Sequence, residues 1–166
     1  MVFNRPLTGE EIQLLNEWGN NPVPQKPTAA LPAATMLEIL AGAEIRFETA
    51  NEEVSGIAGE GTIVLAGNAS LKVSQSCAFS GTIAGSGKLS FGENVNFNLS
   101  ESGVGYKTLL SAPKGVITMP ASTEGWAVSG ISNHFATDFR LKENEDGSMK
   151  MLQAKIATRG FAIIIK

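Results

Sequence analysis

GEGTIVLAGNASLKV (residues 59–73) and GSGKLSFGENVNFNL (residues 85–99) are two versions of one pattern, offset by the step from Gly59 to Gly85. The same offset reaches back to residue 35. Leu37, Ile63 and Leu89 then share a column. So do Ile39, Leu65 and Phe91; Ala43, Ala69 and Val95; Ile45, Leu71 and Phe97; and Phe47, Val73 and Leu99. All five columns are apolar. Polar or small residues mostly fill the positions between them, which is the period of a half-buried strand. One coil cannot bury its own apolar side, but stacked coils share a continuous core. A repeat of this length holds short strands and corners and leaves no room for helical crossovers. The expected fold is therefore all-β: a right-handed parallel β-solenoid of about three to five coils. The five columns are expected to point inward and to stack in register.

Corner residues support this reading. Gly42, Asn68 and Asn94 fall in one column, and these residue types tolerate positive φ, so a left-handed corner is expected at each. Ile57-Ala58-Gly59-Glu60-Gly61 recurs as Ile83-Ala84-Gly85-Ser86-Gly87. Its paired glycines mark a second corner or a close approach of coils.

Three segments follow from the pattern. Residues 1–34 hold a short helix and a linker. Thr8 caps the helix, Glu11 completes a capping box, and Leu7 and Ile12 form a hydrophobic staple. Ile12, Leu15 and Trp18 make one apolar face, and Gly19 ends the helix. Pro22, Pro24, Pro27 and Pro32 then exclude helix and sheet interior. Residues 35–103 are the solenoid repeats. Residues 104–166 break the period and read as an irregular closing β section, which shields the last open edge. Its strands are expected at Tyr106–Leu110, Val116–Met119, Trp126–Val128 and Phe161–Ile165, with a hairpin turning at Asp146-Gly147.

Composition narrows the function classes. The chain has 166 residues and a net charge of -3 with scattered lysines and arginines, so no nucleic-acid footprint is present. The single cysteine, Cys77, forms no intrachain disulfide and reads as a buried thiol. No run approaches the ~18 apolar residues of a membrane span, and the opening MVFNRPLTGEEIQ has no signal-peptide core.

The two quoted stretches resemble the autotransporter-associated β-strand repeat, with its Gly-x-Gly-x-Leu-x-Leu-x-Gly-Asn pattern. Tyr106-Lys-Thr-Leu-Leu-Ser-Ala, Gly115-Val-Ile-Thr, Trp126-Ala-Val, Phe139-Arg-Leu and Asp146–Leu152 are similar to the closing segment of such passenger-like domains. Val2–Ile12 resembles the end of a LamG-type jelly-roll domain, with Pro6 where alanine is usual. That stretch carries none of the jelly roll's binding site. Together the resemblances imply a secreted or surface-anchored bacterial protein and no enzymatic reaction.

Candidate chemistry is sparse. His134 and Asp138 lie four apart, but no Gly-x-Ser-x-Gly accompanies them. Solenoid glycosidases need two flanking carboxyls. The outward columns expected at the repeat offset are Glu38, Val64, Ser90; Glu44, Ser70, Asn96; and Arg46, Lys72, Asn98, with at most one acid each. Glu44 and Arg46 read as a solvated pair. One histidine and one cysteine cannot close a zinc site, and the calcium pattern is absent. Gly59–Gly61 and Gly85–Gly87 are too short for a dinucleotide fingerprint. Sugar binding needs an exposed aromatic with polar neighbours. Trp126 and Tyr106 are the aromatic candidates, with Asn96 and Asn98 as amides on a shallow polar face. Trp126 sits in an alternating strand and is more readily read as core.

The expectation is a non-catalytic structural or adhesion module, extracellular or at the cell surface, with no cofactor and no metal. Its partners would be a surface glycan or another protein. A carbohydrate-binding accessory module of a glycan-processing protein is the second reading, and a solenoid polysaccharide-active enzyme the third.

Overall fold

The computed structural model describes residues 31–48, 51–99 and 103–158. The helix expected over 8–18, the jelly-roll-like stretch over 2–12 and the strand expected over 161–165 lie outside them. The described residues form thirteen strands and no helix: β1 (Met36–Ile39), β2 (Glu44–Phe47), β3 (Asn51–Gly59), β4 (Thr62–Leu65), β5 (Ser70–Phe79), β6 (Thr82–Gly85), β7 (Lys88–Phe91), β8 (Asn96–Asn98), β9 (Gly105–Pro113), β10 (Ile117–Thr118), β11 (Ala127–Ser129), β12 (His134–Glu143) and β13 (Met149–Thr158).

The parallel strands build a solenoid of about three turns with three walls. Wall one is β2-β4-β6. Walls two and three share one hydrogen-bonded sheet, because β3 and β5 each run through both. A bulge marks the bend: Val54 pairs with Val73 and Gly56 with Ser76, so β5 carries one more residue than β3 across the bend. The first halves of β3 and β5 pair on with β7 and β10 as wall two. Their second halves pair with β1, β8 and β11 as wall three.

Inward columns fill the stack. Wall one stacks Ile45, Ile63 and Ile83. Wall two stacks Val54, Val73 and Phe91, and beside them Glu52, Leu71, Leu89 and Ile117. Wall three stacks Leu37, Ile57, Cys77, Phe97 and Val128. Ile57, Ile63, Leu71 and Leu89 are fully buried. Each such side chain contributes roughly 1.5–3 kcal/mol of burial. Glu52 is the polar exception at the first level of its column; its carboxylate accepts the Leu31 amide at 2.9 Å.

The expected in-register stacking of the repeat columns is corrected by this pairing. Leu37 stacks on Ile57, Ile63 on Ile83, and Leu89 on Ile117. Ile63 belongs to wall one and Leu89 to wall two. The physical reason is the length of a coil. One coil carries the chain from Leu37 to Ile57, from Ile57 to Cys77, and on wall one from Ile45 to Ile63. Each of these steps is shorter than the repeat step from Leu37 to Ile63. The repeat step is therefore one coil plus one wall. The columns do point inward at Ile63, Leu65, Ala69, Leu71 and Val73, but Ala43 is exposed.

What recurs at the repeat offset is a corner. After β1, Ala43 donates its amide to the Leu40 carbonyl; after β4, Ala69 donates to Ala66. One coil later a glycine pair closes over each turn. The Ile39 carbonyl accepts from Glu60 and Gly61, and the Leu65 carbonyl accepts from Ser86 and Gly87. Gly59 and Gly85 both have positive φ, and a Cβ on either would lie 2.2 or 2.1 Å from the carbonyl oxygen beneath it. Positive φ in the turns falls on Gly42 and Gly67. The expected left-handed Asn68 and Asn94 are not in that conformation, because Gly67 takes the strained place in the second turn.

Beyond β8 the chain leaves the stack. β9 passes against β6 at the level where a fourth strand of wall one would lie, and pairs with β13 instead. β10 and β11 return to walls two and three, so the walls continue past residue 103. β12, β13 and β9 form a separate antiparallel sheet. Its hairpin turns at Asp146-Gly147, with Gly147 at positive φ and the Ser148 amide donating to Asp146 Oδ1 at 2.8 Å.

Candidate functional site

The outward columns are set by the observed register. Wall one carries Glu44, Thr62, Thr82 and Arg46, Val64, Ala84 on its outer side, with Val64 itself buried. Wall two shows Glu53, Lys72, Ser90 and Thr118. Each column holds at most one acid. Arg46 bonds Glu48 rather than Glu44, at 3.0 Å, and Lys72 pairs with Glu53 at 3.2 Å. Both pairs are half exposed, so they carry little stability.

Trp126 is core. It is 6% exposed, its indole N–H donates to the Gly92 carbonyl at 2.7 Å, and Phe91, Phe97 and Phe139 surround it edge-on or tilted. Its rings offer no stacking face to a ligand, which removes it from the aromatic candidates. Asn96 and Asn98 stand side by side on the outer surface of wall three. Asn96 Nδ2 donates to Ser129 Oγ at 3.3 Å, one level above.

His134 and Asp138 share a strand but not a task. His134 Nδ1 is bonded to the Ser132 carbonyl, while Asp138 accepts the Tyr106 hydroxyl. No hydrogen bond joins the two, so the arrangement is not a relay. Cys77 is buried in wall three, and desolvation pushes its thiol up to about 11, against a smaller opposing hydrogen bond from the Phe79 backbone. Among the described residues no cluster of three or more histidines, cysteines or acids is placed to hold a metal. A hollow of about 560 Å³ beside Glu93, Asn94, Ser122 and Glu124 contains two carboxylates.

Tyr106 is the centre of a polar cluster with an aromatic at its surface. It lies on β9 with the outward row Tyr106, Lys155, Asp138, next to the row Thr108, Gln153, Arg140. The Tyr106 hydroxyl donates to Asp138 Oδ2 at 2.8 Å, two strands away, so the ring lies across β13. The Arg140 guanidinium sits 3.3 Å from the ring centroid, and Lys155 Nζ is 6.0 Å from it. Arg140 is itself held by Nε and Nη2 bonds of 3.2 and 3.1 Å to Gln153 Oε1. The hydrogen bond to Asp138 is the main cause that raises the Tyr106 phenol above its ordinary pKa, with burial and the Asp138 charge adding and Arg140 opposing.

Sequence reasoning named Tyr106 but missed Arg140, Gln153 and Lys155. The available signal was the Asp146-Gly147 turn, which sets β12 against β13 and brings these side chains onto one face. A groove of about 400 Å³ adjoins this face, lined by Glu60, Ser80, Asn98, Thr108 and Leu109 among others.

No protein-family model matches the chain, and no characterised protein or solved structure matches it either. The class rests on the fold: a parallel β-solenoid with an antiparallel sheet attached.

Proposed function

We propose that this chain is a non-catalytic stalk, spacer or adhesion module of a secreted or surface-anchored bacterial protein. The carrying observation is wall three. Five strands, β1, β3, β5, β8 and β11, stack in parallel with an apolar residue inside at every level. Each added strand lengthens the stack by about 4.8 Å and pairs its backbone to the level below, which makes a stiff rod rather than a hinged one. Resemblance of the repeats to autotransporter-associated strands supports the surface location, and resemblance of the closing section to passenger-like endings supports the same context. The stack is taken as right-handed, following the hand of parallel crossovers in general.

Turnover assays on polysaccharide and ester panels test the non-catalytic reading. No turnover is expected. Turnover that is lost in Glu93→Gln, Glu124→Gln or His134→Ala, with the fold intact, overturns it and promotes the enzyme reading. Cell fractionation tests the location: recovery in the secreted or surface fraction is expected, and purely cytosolic recovery overturns it.

A further inference from the structure

We propose that the outer face of the β9-β13-β12 sheet around Tyr106, continued by the groove from Thr108 to Asn98, binds a neutral oligosaccharide. This rests on the adhesion reading above and names the surface that would do the adhering.

The argument starts with the ring. Tyr106 is 37% exposed although its hydroxyl is bonded and one face is covered by Arg140. Part of the ring therefore stays open to solvent away from Arg140, with Lys155 Nζ standing off at 6.0 Å from the centroid. The ring is also fixed in place. Asp138 holds its hydroxyl, Arg140 backs it, Gln153 holds Arg140, and Gln153 Nε2 reaches Thr108 Oγ1 at 3.4 Å. Gln153 is buried at 8% exposure, so the support is anchored in the sheet. An aromatic already held in place loses little freedom when a ligand arrives.

The second part is the groove. Tyr106 and Thr108 are alternate residues on one face of β9, and Thr108 lines the groove, so Thr108 links the ring, which lies across β13, to the groove mouth. Beyond Thr108 the lining offers the Ser80 hydroxyl, the Asn98 amide and the Glu60 carboxylate. A sugar chain presents a C–H-rich ring face and a rim of hydroxyls. The first stacks on an aromatic, and the second bonds amides, hydroxyls and carboxylates. A neutral chain fits better than an anionic one. Glu60 and Asp138 put negative charge at both ends of the path, Lys155 beside the ring offsets only one of them, and the Arg140 guanidinium is already committed to Tyr106 and Gln153.

Titration calorimetry of the whole chain with cellohexaose, xylohexaose and mannohexaose as neutral probes, and hexagalacturonate as the acidic one, tests this. At least one neutral probe is expected to bind. Tyr106→Ala should weaken it about tenfold or more, Asn98→Ala should weaken it by a smaller factor, and Tyr106→Phe, which keeps the ring, should retain most of the affinity. Circular dichroism and urea midpoints confirm that each variant folds. Absence of binding to every probe overturns the proposal while leaving the spacer reading standing. Binding of the acidic probe alone, or binding untouched in Tyr106→Ala, overturns it as well. Cleavage of a bound probe would instead defeat the non-catalytic reading.

Discussion

Ile39 and Leu65, equivalent positions of successive repeats, do the same work on two different corners of the solenoid. Each offers its carbonyl to two successive amides of the next coil, Glu60 and Gly61 for Ile39, Ser86 and Gly87 for Leu65, at 2.7–2.9 Å. Ile39 leads from wall three into wall one, and Leu65 from wall one into wall two. The repeat therefore advances by one wall each time it recurs, and the same local device braces successive corners.

The glycine that roofs this contact has no tolerance for a side chain. Gly85 has φ +94, and a Cβ there would lie 2.1 Å from the Leu65 oxygen. Gly42 has φ +80 but nothing within 4 Å. Gly42→Ala should cost about 1–2 kcal/mol, the backbone penalty alone. Gly85→Ala should cost on the order of 4 kcal/mol or prevent folding, since backbone atoms must move. Urea unfolding measures both; equal midpoints for the two variants would refute the corner contact.

Inside and outside are separated within one strand. Leu71 is fully buried in wall two, and Lys72 beside it points to water and pairs with Glu53. Leu71→Ala should cost about 2–5 kcal/mol, and Lys72→Ala about 0–1 kcal/mol. Thermal or urea unfolding decides. Matching losses would reverse the inside/outside assignment of β5.

Much of this was legible in the chain itself. Alternation told which of Leu71 and Lys72 faces inward, and the paired glycines at Gly59–Gly61 and Gly85–Gly87 announced tight corners. The stacking partners were not legible, because apolar residues repeat at two lengths. Self-similarity at the longer step, Ile63 to Leu89, outweighs the shorter pairing step, Ile63 to Ile83. Ile63 and Leu89 therefore look like neighbours although different walls hold them. The Tyr106 cluster was hidden for another reason. One bulge decides its rows: Leu109 is an extra residue of β9 between the pairs Leu110–Leu152 and Thr108–Gln153. Without that bulge, Tyr106 would fall opposite Ile156 on the inward face and could not meet Asp138. Single-residue offsets of that kind leave no mark in composition or period.

Cys77 reports on the integrity of wall three. Its thiol is 2% exposed and pushed up to about 11 by burial. At neutral pH it is expected to be almost wholly protonated and sterically shielded, and the thiolate is the reactive form. Alkylation of the native chain should therefore be slow and should rise with urea in step with unfolding. Rapid alkylation without denaturant would place Cys77 outside the stack.

The last prediction uses Tyr106, the only tyrosine in the chain, so its phenol absorbance can be followed without interference from a second one. The Asp138 hydrogen bond favours the protonated ring and raises its pKa above the ordinary 10.0. A group whose folded pKa is raised adds stability that is fully present below its unfolded pKa and is lost as pH rises through the folded one. The loss from Tyr106 should thus begin near pH 10 and be complete only above the folded value. Absorbance titration of the native chain should show the phenol ionising above a free-tyrosine reference. Asp138→Asn removes the charge and should bring the titration down toward that reference. Arg140→Gln removes the opposing cation and should move it further up. A wild-type phenol that titrates with the free amino acid would mean that Asp138 does not hold the ring, and the fixed platform at Tyr106 would fall with it.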